Sequence, residues 1–212
     1  MPATPDVLDD GDLEPWSGAL EGAFVIEDAL VSGRFEQVRA AGGRIMRSRL
    51  DRVGLTSARL RSLSLTDVAA VALEASGADW SGATLRRVEI TGSRLGGLQL
   101  VEAAAEQVLF RDCRLELATL RGARLRNVRF ERCLLDDTDF LGATLQAVGF
   151  EACRLLRADF TSATLTRVDL RGSDLDPAGD VNGLRGATID SVQLAGLAPL
   201  LARAAGIKVE DD

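Results

Sequence analysis

The chain has 212 residues, 46% apolar and 27% charged, with a net charge of −7, which suits one domain with ample length for a core. It contains no His and no Tyr. The commonest general acid–base group and the easiest metal ligand are therefore missing, so no enzyme, cofactor or metal site is expected.

No apolar run is long enough for a membrane-spanning helix. The acidic N-terminus lacks the basic-then-apolar order of a signal peptide, and three cysteines make no disulfide framework. A soluble cytoplasmic protein without membrane association is the expectation. Charge is uneven along the chain. Residues 1–30 carry eight acids and no base, residues 174–212 seven acids against Arg185, Arg203 and Lys208, and residues 31–173 a net of +5 in which every base is Arg.

Residues 1–19 combine early prolines, high acidity and few apolar groups, the composition of a mobile tail. Leu13 and Trp16 could still fold back over the first repeat, because the end of a stacked array must be shielded. From Val25 to Leu175 every fifth position is a centre, and 27 of these 31 centres are Val, Leu, Ile, Phe or Trp, the exceptions being Ala40, Ala70, Ala75 and Ala105. A period of five fits neither helix nor strand, and its persistence marks a solenoid. Two residues before each centre lies a second restricted column in which Asp28 is the one charge. Both columns must point inward, since charges avoid burial.

A longer period of 20 lies over the first. Val68, Val88, Val108, Val128, Val148 and Val168 follow it, as do Cys113, Cys133 and Cys153, and Phe110, Phe130 and Phe150. Four fives make one coil, so equivalent residues stack and the section is a square with a turn at each corner. Gly42, Gly82, Gly122 and Gly142, each two residues past a centre, suit those turns. At a spacing of about 4.8 Å per coil the shaft would be roughly 35–40 Å long. Ala70, Ala75 and Ala105 underfill the core and should mark the softest coils.

After Leu175 the rhythm breaks over residues 176–183, which carry Pro177, Gly179 and Gly183 and read as a loop. Leu184 and Ile189 form a last edge in a shifted frame. Asp190 and Gln193 give a helix start, and Leu194, Leu197, Leu200, Leu201 and Ala204 an apolar stripe. Pro199 suits the first turn of a second short helix and Gly206 its end. The reading divides the chain into a tail (1–19), a solenoid (20–189) and a helical cap with an acidic end (190–212).

Units such as Thr138-Asp139-Phe140-Leu141-Gly142, Ala158-Asp159-Phe160 and Val168-Asp169-Leu170-Arg171-Gly172 resemble those of the pentapeptide-repeat family, over about residues 20–189. The resemblance implies an all-β fold, a right-handed quadrilateral β-helix, here with a short C-terminal α-helical cap. It implies a non-enzymatic scaffold that binds a protein partner, with no small-molecule substrate. The alternative it carries is a DNA-mimicking protein of the fluoroquinolone-resistance type that binds DNA gyrase or another type II topoisomerase. Such members are acidic rods, and related ones dimerise end to end through their C-terminal segment.

The candidate residues all lie outside the tube, except the cysteines. Asp136, Asp137, Asp139 and Asp159 are the acids a mimic would use, against surface solubility as the plainer role. Leu117, Leu134 and Leu156 fall on one side of successive coils and, with Leu194, Leu197, Leu200 and Leu201, are the interface candidates; the stripe is the route to a homodimer, although capping alone also explains it. Two arginine groups, Arg34–Arg61 and Arg111–Arg132, are spread over all four sides without interleaved aromatics. They fit a solvated surface with ion pairs between coils better than direct nucleic-acid binding. The cysteines occupy inward positions where Ala and Val are sisters, and read as small buried hydrophobes.

Overall fold

The structure, a computed structural model, describes residues 2–7 and 12–210; Met1, residues 8–11 (with Asp9 and Asp10 of the acidic tail) and residues 211–212 lie outside the described residues. Parallel pairing at one offset builds the shaft. Arg44, Ser64, Thr84, Ala104, Arg124, Thr144 and Thr164 form one ladder, each paired with the residue 20 further on. A second runs through Leu50, Ala70, Ile90, Phe110, Phe130 and Phe150. A third climbs from Gly54 through Glu74, Arg94, Arg114 and Leu134 to Arg154, and a fourth from Arg39 through Arg59, Asp79, Gln99, Thr119 and Asp139 to Asp159. The result is a four-sided tube of about eight coils. Its sides are called here faces A, B, C and D, centred on Leu125, Phe130, Leu135 and Phe140.

The centres from Ile45 to Leu170 are all buried, and so are the residues two before them, with the half-buried Ala163 as the exception. The corners explain the five-residue rhythm. Two residues past each centre the backbone turns with positive φ, and among the described residues 21 such corners are not glycine, from Asp28 at φ 51° to Arg167 at φ 54°. This left-handed conformation costs an L-residue about 1 kcal/mol or more. The turns are nonetheless held by the ladders and, at many corners, by a bond such as Ala118 N–H to the Leu115 carbonyl at 3.0 Å.

Side chains repeat with the coils. Phe110, Phe130 and Phe150 stack on face B with ring centroids 5.0 and 4.9 Å apart, and Phe140 and Phe160 on face D at 4.8 Å. The two stacks meet edge to face inside the tube, Phe140 against Phe150 at 6.1 Å and 89°. The alanines expected to weaken the shaft are partly balanced. Ala70 and Ala75 share a coil with Trp80, whose indole is 1% exposed. Its Nε1 is the one buried side-chain donor without a partner among the described residues.

The first coil corrects the reading of the rhythm. Val25, expected inside, is 50% exposed, while Ile26 and Val31 are buried. Ile26 pairs with Ile45 and Val31 with Leu50, an offset of 19, and a bulge between Ser32 and Gly33 restores 20. The shift brings Ala29 inward and turns Asp28 out to Arg47, 2.8 Å away. A buried, unpaired carboxylate would cost several kcal/mol, and the short coil avoids it.

The part of the N-terminal segment next to the shaft is packed rather than free. Glu14–Pro15 is a strand on Ala29 and Leu30, Leu13 is buried, and the Trp16 ring lies 5.7 Å from Phe35. These residues cover the open edge of the first coil. Residues 2–7 run without secondary structure along the shaft, where the Asp6 N–H donates to Asp67 Oδ1 at 3.1 Å.

The other end differs in two respects from expectation. Part of the expected loop is the strand Asp174–Ala178, paired with Arg154–Asp159 through a register shift, and a 3-10 turn, Val181–Leu184, follows it. The two expected helices are one, Ser191–Ala204, with Pro199 inside. Proline removes the bond to the Ala195 carbonyl, and both residues are exposed, so water can take that oxygen. Asp190 and Gln193 form the expected capping box. At the far end Gly206, with φ +72°, donates to the Arg203 carbonyl and Ile207 to the Ala202 carbonyl, the Schellman pattern. The buried Gln193 also closes the tube, since its Nε2 donates to the carbonyls of Leu170 at 2.6 Å and Ser173 at 2.7 Å. No helix among the described residues is long and apolar enough to cross a membrane.

Two substitutions separate the core from the corners. Phe130→Ala removes the middle ring of a stack and should cost about 3–5 kcal/mol. Ala152→Gly relieves a positive-φ corner on a column that already holds Gly92 and Gly172, and should gain about 0.5–1 kcal/mol. Urea midpoints check both, and a loss of stability in Ala152→Gly would contradict the account of the corners.

Candidate interaction surface

Each coil offers three outward positions per face, so residues 20 apart lie one above the other. This places acids and arginines in reach of each other between coils. Arg94 meets Glu74 at 2.6 Å, Arg132 meets Asp112 at 2.7 Å, and Arg111 meets Glu131 at 2.9 Å and Glu89 at 3.1 Å. Arg87 clasps Asp67 with two bonds, and Arg126 pairs with Glu106. Exposed pairs of this kind contribute only about 0–1 kcal/mol each. Their larger effect is to remove free charge from the surface.

The four candidate acids do not form one acidic patch. Asp136 and Asp137 are on face C, Asp139 and Asp159 on face D. Asp136 is 7% exposed and bound by Arg154 at 2.5 Å; Asp137 holds Arg157 through two bonds of 2.7 and 2.5 Å. Asp139 pairs with Arg121, and Asp159 accepts the Thr161 N–H at 2.8 Å. Three of the four thus face an arginine. The side-chain hydrogen bond from Arg157 holds the Asp137 carboxyl below its ordinary range.

The apolar candidates divide in the same way. Leu117 is 67% exposed at a corner of face C, whereas Leu134 and Leu156, on the same face, are half-buried in other columns. On the helix Leu197 is buried at 2% and belongs to the cap itself, and Leu200 is half-buried. Leu194 at 50% and Leu201 at 38% remain exposed, along with Val192 at 80%, which the stripe did not include.

The cysteines are more than small hydrophobes. Their column on face C continues into Ser93 and Ser173, and each thiol lies 3.2 to 3.4 Å from a backbone carbonyl of the coil before: Cys113 from Ile90, Cys133 from Phe110 and Cys153 from Phe130. Ser173 Oγ makes the matching bond to Phe150 and accepts the Cys153 N–H at 3.0 Å. Hydrogen bonds with the Cys113 and Cys153 thiols, and then burial, push the Cys133 thiol far above its ordinary range, which leaves it a poor nucleophile. Among the described residues no group of His, Cys, Asp or Glu is arranged to hold a metal ion.

Sorting charges by face shows what sorting them by sequence does not. From Arg44 to Arg167 the outward positions of face A hold Arg44, Arg47, Arg86, Arg87, Arg124, Arg126 and Arg167 against Asp67 and Glu106. Face D from residue 79 to 162 holds Asp79, Glu102, Asp139 and Asp159 against Arg121. Faces B and C are close to balance. Arg86 lies outside both arginine groups of the sequence and Arg124 inside the second, because only position within the 20-residue coil brings the two together.

The architecture is that of a parallel β-solenoid capped at both ends, with a filled interior and a patterned exterior. Residues 103–179 match the family described as Pentapeptide repeat region, so the chain carries a pentapeptide-repeat region. A comparison with curated proteins finds no match. Among solved structures the chain is similar to full-length QnrB1, a plasmid-mediated fluoroquinolone resistance protein, at 18% identity over 87% of this chain and 98% of that one, with a TM-score of 0.41. It is also similar to HetL, a protein involved in heterocyst differentiation regulation from the cyanobacterium Nostoc sp. strain PCC 7120, at 19% identity over 82% of this chain and 93% of that one, with a TM-score of 0.36.

The ion pairs set an acid limit on stability. Side-chain hydrogen bonds from Arg47, Arg87, Arg132 and Arg157 hold the carboxyls of Asp28, Asp67, Asp112 and Asp137 below their ordinary 3.8. A lowered folded value contributes stability that is present above the unfolded value and lost as pH falls through the folded one. Urea midpoints should therefore be level from pH 7 to 5 and fall below about pH 4. Asp67→Asn should cost about 1–2 kcal/mol at pH 7 and make that fall shallower; an unchanged acid slope would show that this pair does not set it.

Proposed function

We propose that the chain is a non-enzymatic scaffold that presents the outside of its shaft to a protein partner. The filled interior carries this reading. Centres from Ile45 to Leu170 are buried, and clefts such as those of about 390 Å³ at the C-terminal cap and about 380 Å³ on faces A and B open on the outside. A filled tube offers no enclosed reaction chamber, while its regular faces offer long contact surfaces. The reading is tested by affinity capture from native lysate with the full chain as bait. It predicts retention of a discrete protein partner that survives nuclease treatment; retention abolished by nuclease would overturn it.

A second reading, a DNA mimic acting on a type II topoisomerase, draws on the acidic coils of face D. Against it, Asp79 is paired with Arg61 and Asp139 with Arg121, and face A is cationic. The scaffold reading predicts that micromolar protein leaves gyrase supercoiling unchanged, with or without a quinolone. Inhibition of supercoiling, or protection from the drug, would move the function to the second reading.

A further inference from the structure

We propose that face A is the docking surface for an acidic protein segment that carries an apolar side chain. Arg86 and Arg124 would take its carboxylates, and a dent at Ala104 and Ala105 its apolar group. The proposal rests on the scaffold reading and adds the face and the chemistry of the partner.

Charge is the first argument. Three of the seven arginines on face A are satisfied inside the chain: Arg47 by Glu27 and Asp28, Arg87 by Asp67, and Arg126 by Glu106. Arg44, Arg86, Arg124 and Arg167 have no ion-pair partner among the described residues, and all four are exposed. No other face carries such an excess of one sign over so many coils. Segments rich in Asp and Glu are complementary to it, and the contact would speed and orient their approach.

The dent is the second argument, and it selects a protein segment over a bare polyanion. Ala104 stands in a column between Thr84 and Arg124, and Ala105 between Leu85 and Leu125. Side-chain volume is therefore missing from the outer and the inner position of the same unit. The depression measures about 380 Å³ and is lined by Leu85, Ala104, Ala105 and Leu125, with Arg86, Arg124 and the Glu106–Arg126 ion pair among its other walls. Such a recess fits an aliphatic or aromatic side chain, and burying one in a concave site anchors an otherwise polar contact. Nucleobases would instead need outward aromatics, and the outward positions of face A have none.

The chain's own N-terminal segment is the third argument. Pro2 lies beside Asn127, Ala147 and Arg167 in a cleft of about 240 Å³ at the edge between faces A and B, and Asp6 is bound to Asp67 on the same edge. Residues 2–7, which hold one acid, Asp6, thus run along the border of face A and leave the dent open beside them.

The test is fluorescence anisotropy with the full chain and a short labelled peptide of Asp, Glu and Gly bearing one central Leu. The same peptide with Ser for Leu, and a short DNA duplex, are the comparison probes. The Leu peptide should bind, and R86E/R124E should weaken it by about tenfold or more. Ala104→Gln, which fills the dent without adding charge, should bring the Leu peptide to the affinity of the Ser peptide. R114E, an exposed reversal on face C, should change nothing. All of these positions are exposed, and circular dichroism checks that the variants are folded.

Equal binding of the two peptides with tighter binding of the duplex would replace the proposal with a general polyanion surface. Absence of peptide binding, or equal losses in R114E and R86E/R124E, would overturn it. The scaffold reading is judged separately. A partner captured equally well by wild type and R86E/R124E leaves the scaffold standing and removes face A as its docking surface.

Discussion

The parallel ladder at a fixed offset of 20 residues is the constraint on which the rest of the molecule depends. Each coil is bonded only to the coils on either side, about 4.8 Å away, so every residue meets its counterparts one coil up and one coil down. The phenylalanine stacks, the serine–cysteine column and the arginine–carboxylate pairs all follow from that single rule. So does the cost of the corners. A residue in left-handed conformation is unfavourable alone, yet the ladder imposes it at every turn, because only a sharp corner returns the chain to the same four faces. Where the rule is broken, at Ser32 and Gly33 and again where Ala187 pairs with Val168 at an offset of 19, the break falls in an end coil.

A tube of this kind has two separate chemistries. Inside, the question is volume: Trp80 shares a coil with Ala70 and Ala75, and the two phenylalanine stacks fill the section from opposite faces. Outside, the question is charge. Two open ends would expose unpaired backbone, and each is closed by a different device. At the start a short strand and the Trp16–Phe35 contact extend the stack; at the finish the amide of Gln193 takes the carbonyls of Leu170 and Ser173 directly. The C-terminal helix is thus fixed to the shaft by Asp190, which accepts the Gly172 N–H, by Gln193 and by Leu197, which leaves Val192, Leu194 and Leu201 exposed.

What the outside of the tube offers a partner is the charge left after pairing, not the total. The acids at 136, 137 and 139 are conspicuous in the sequence, and each is taken up by an arginine of a nearby coil. The arginines without an ion-pair partner among the described residues are less conspicuous, since Arg86 and Arg124 are separated by almost two coils of sequence and yet share a face. That residue, a cationic side with an apolar dent, is what distinguishes face A from the balanced faces B and C and the acidic coils of face D.

Much of the architecture was legible in the residues. The five-residue rhythm fixes the inward columns because burial excludes charge, the 20-residue recurrence fixes the stack because identical neighbours pack alike, and Asp190 with Gln193 fixes the helix start because capping is local chemistry. Even the first-coil shift had left a mark, the solitary charge Asp28 in an otherwise neutral column. What only the tertiary structure decided depends on contacts between distant segments. Whether Pro199 divides a helix is settled by where its freed carbonyl points. Whether residues 12–16 pack is settled by the edge they find. Which charges remain free is settled by distances of a few ångströms between coils, and a linear sequence contains the partners without stating which of them meet.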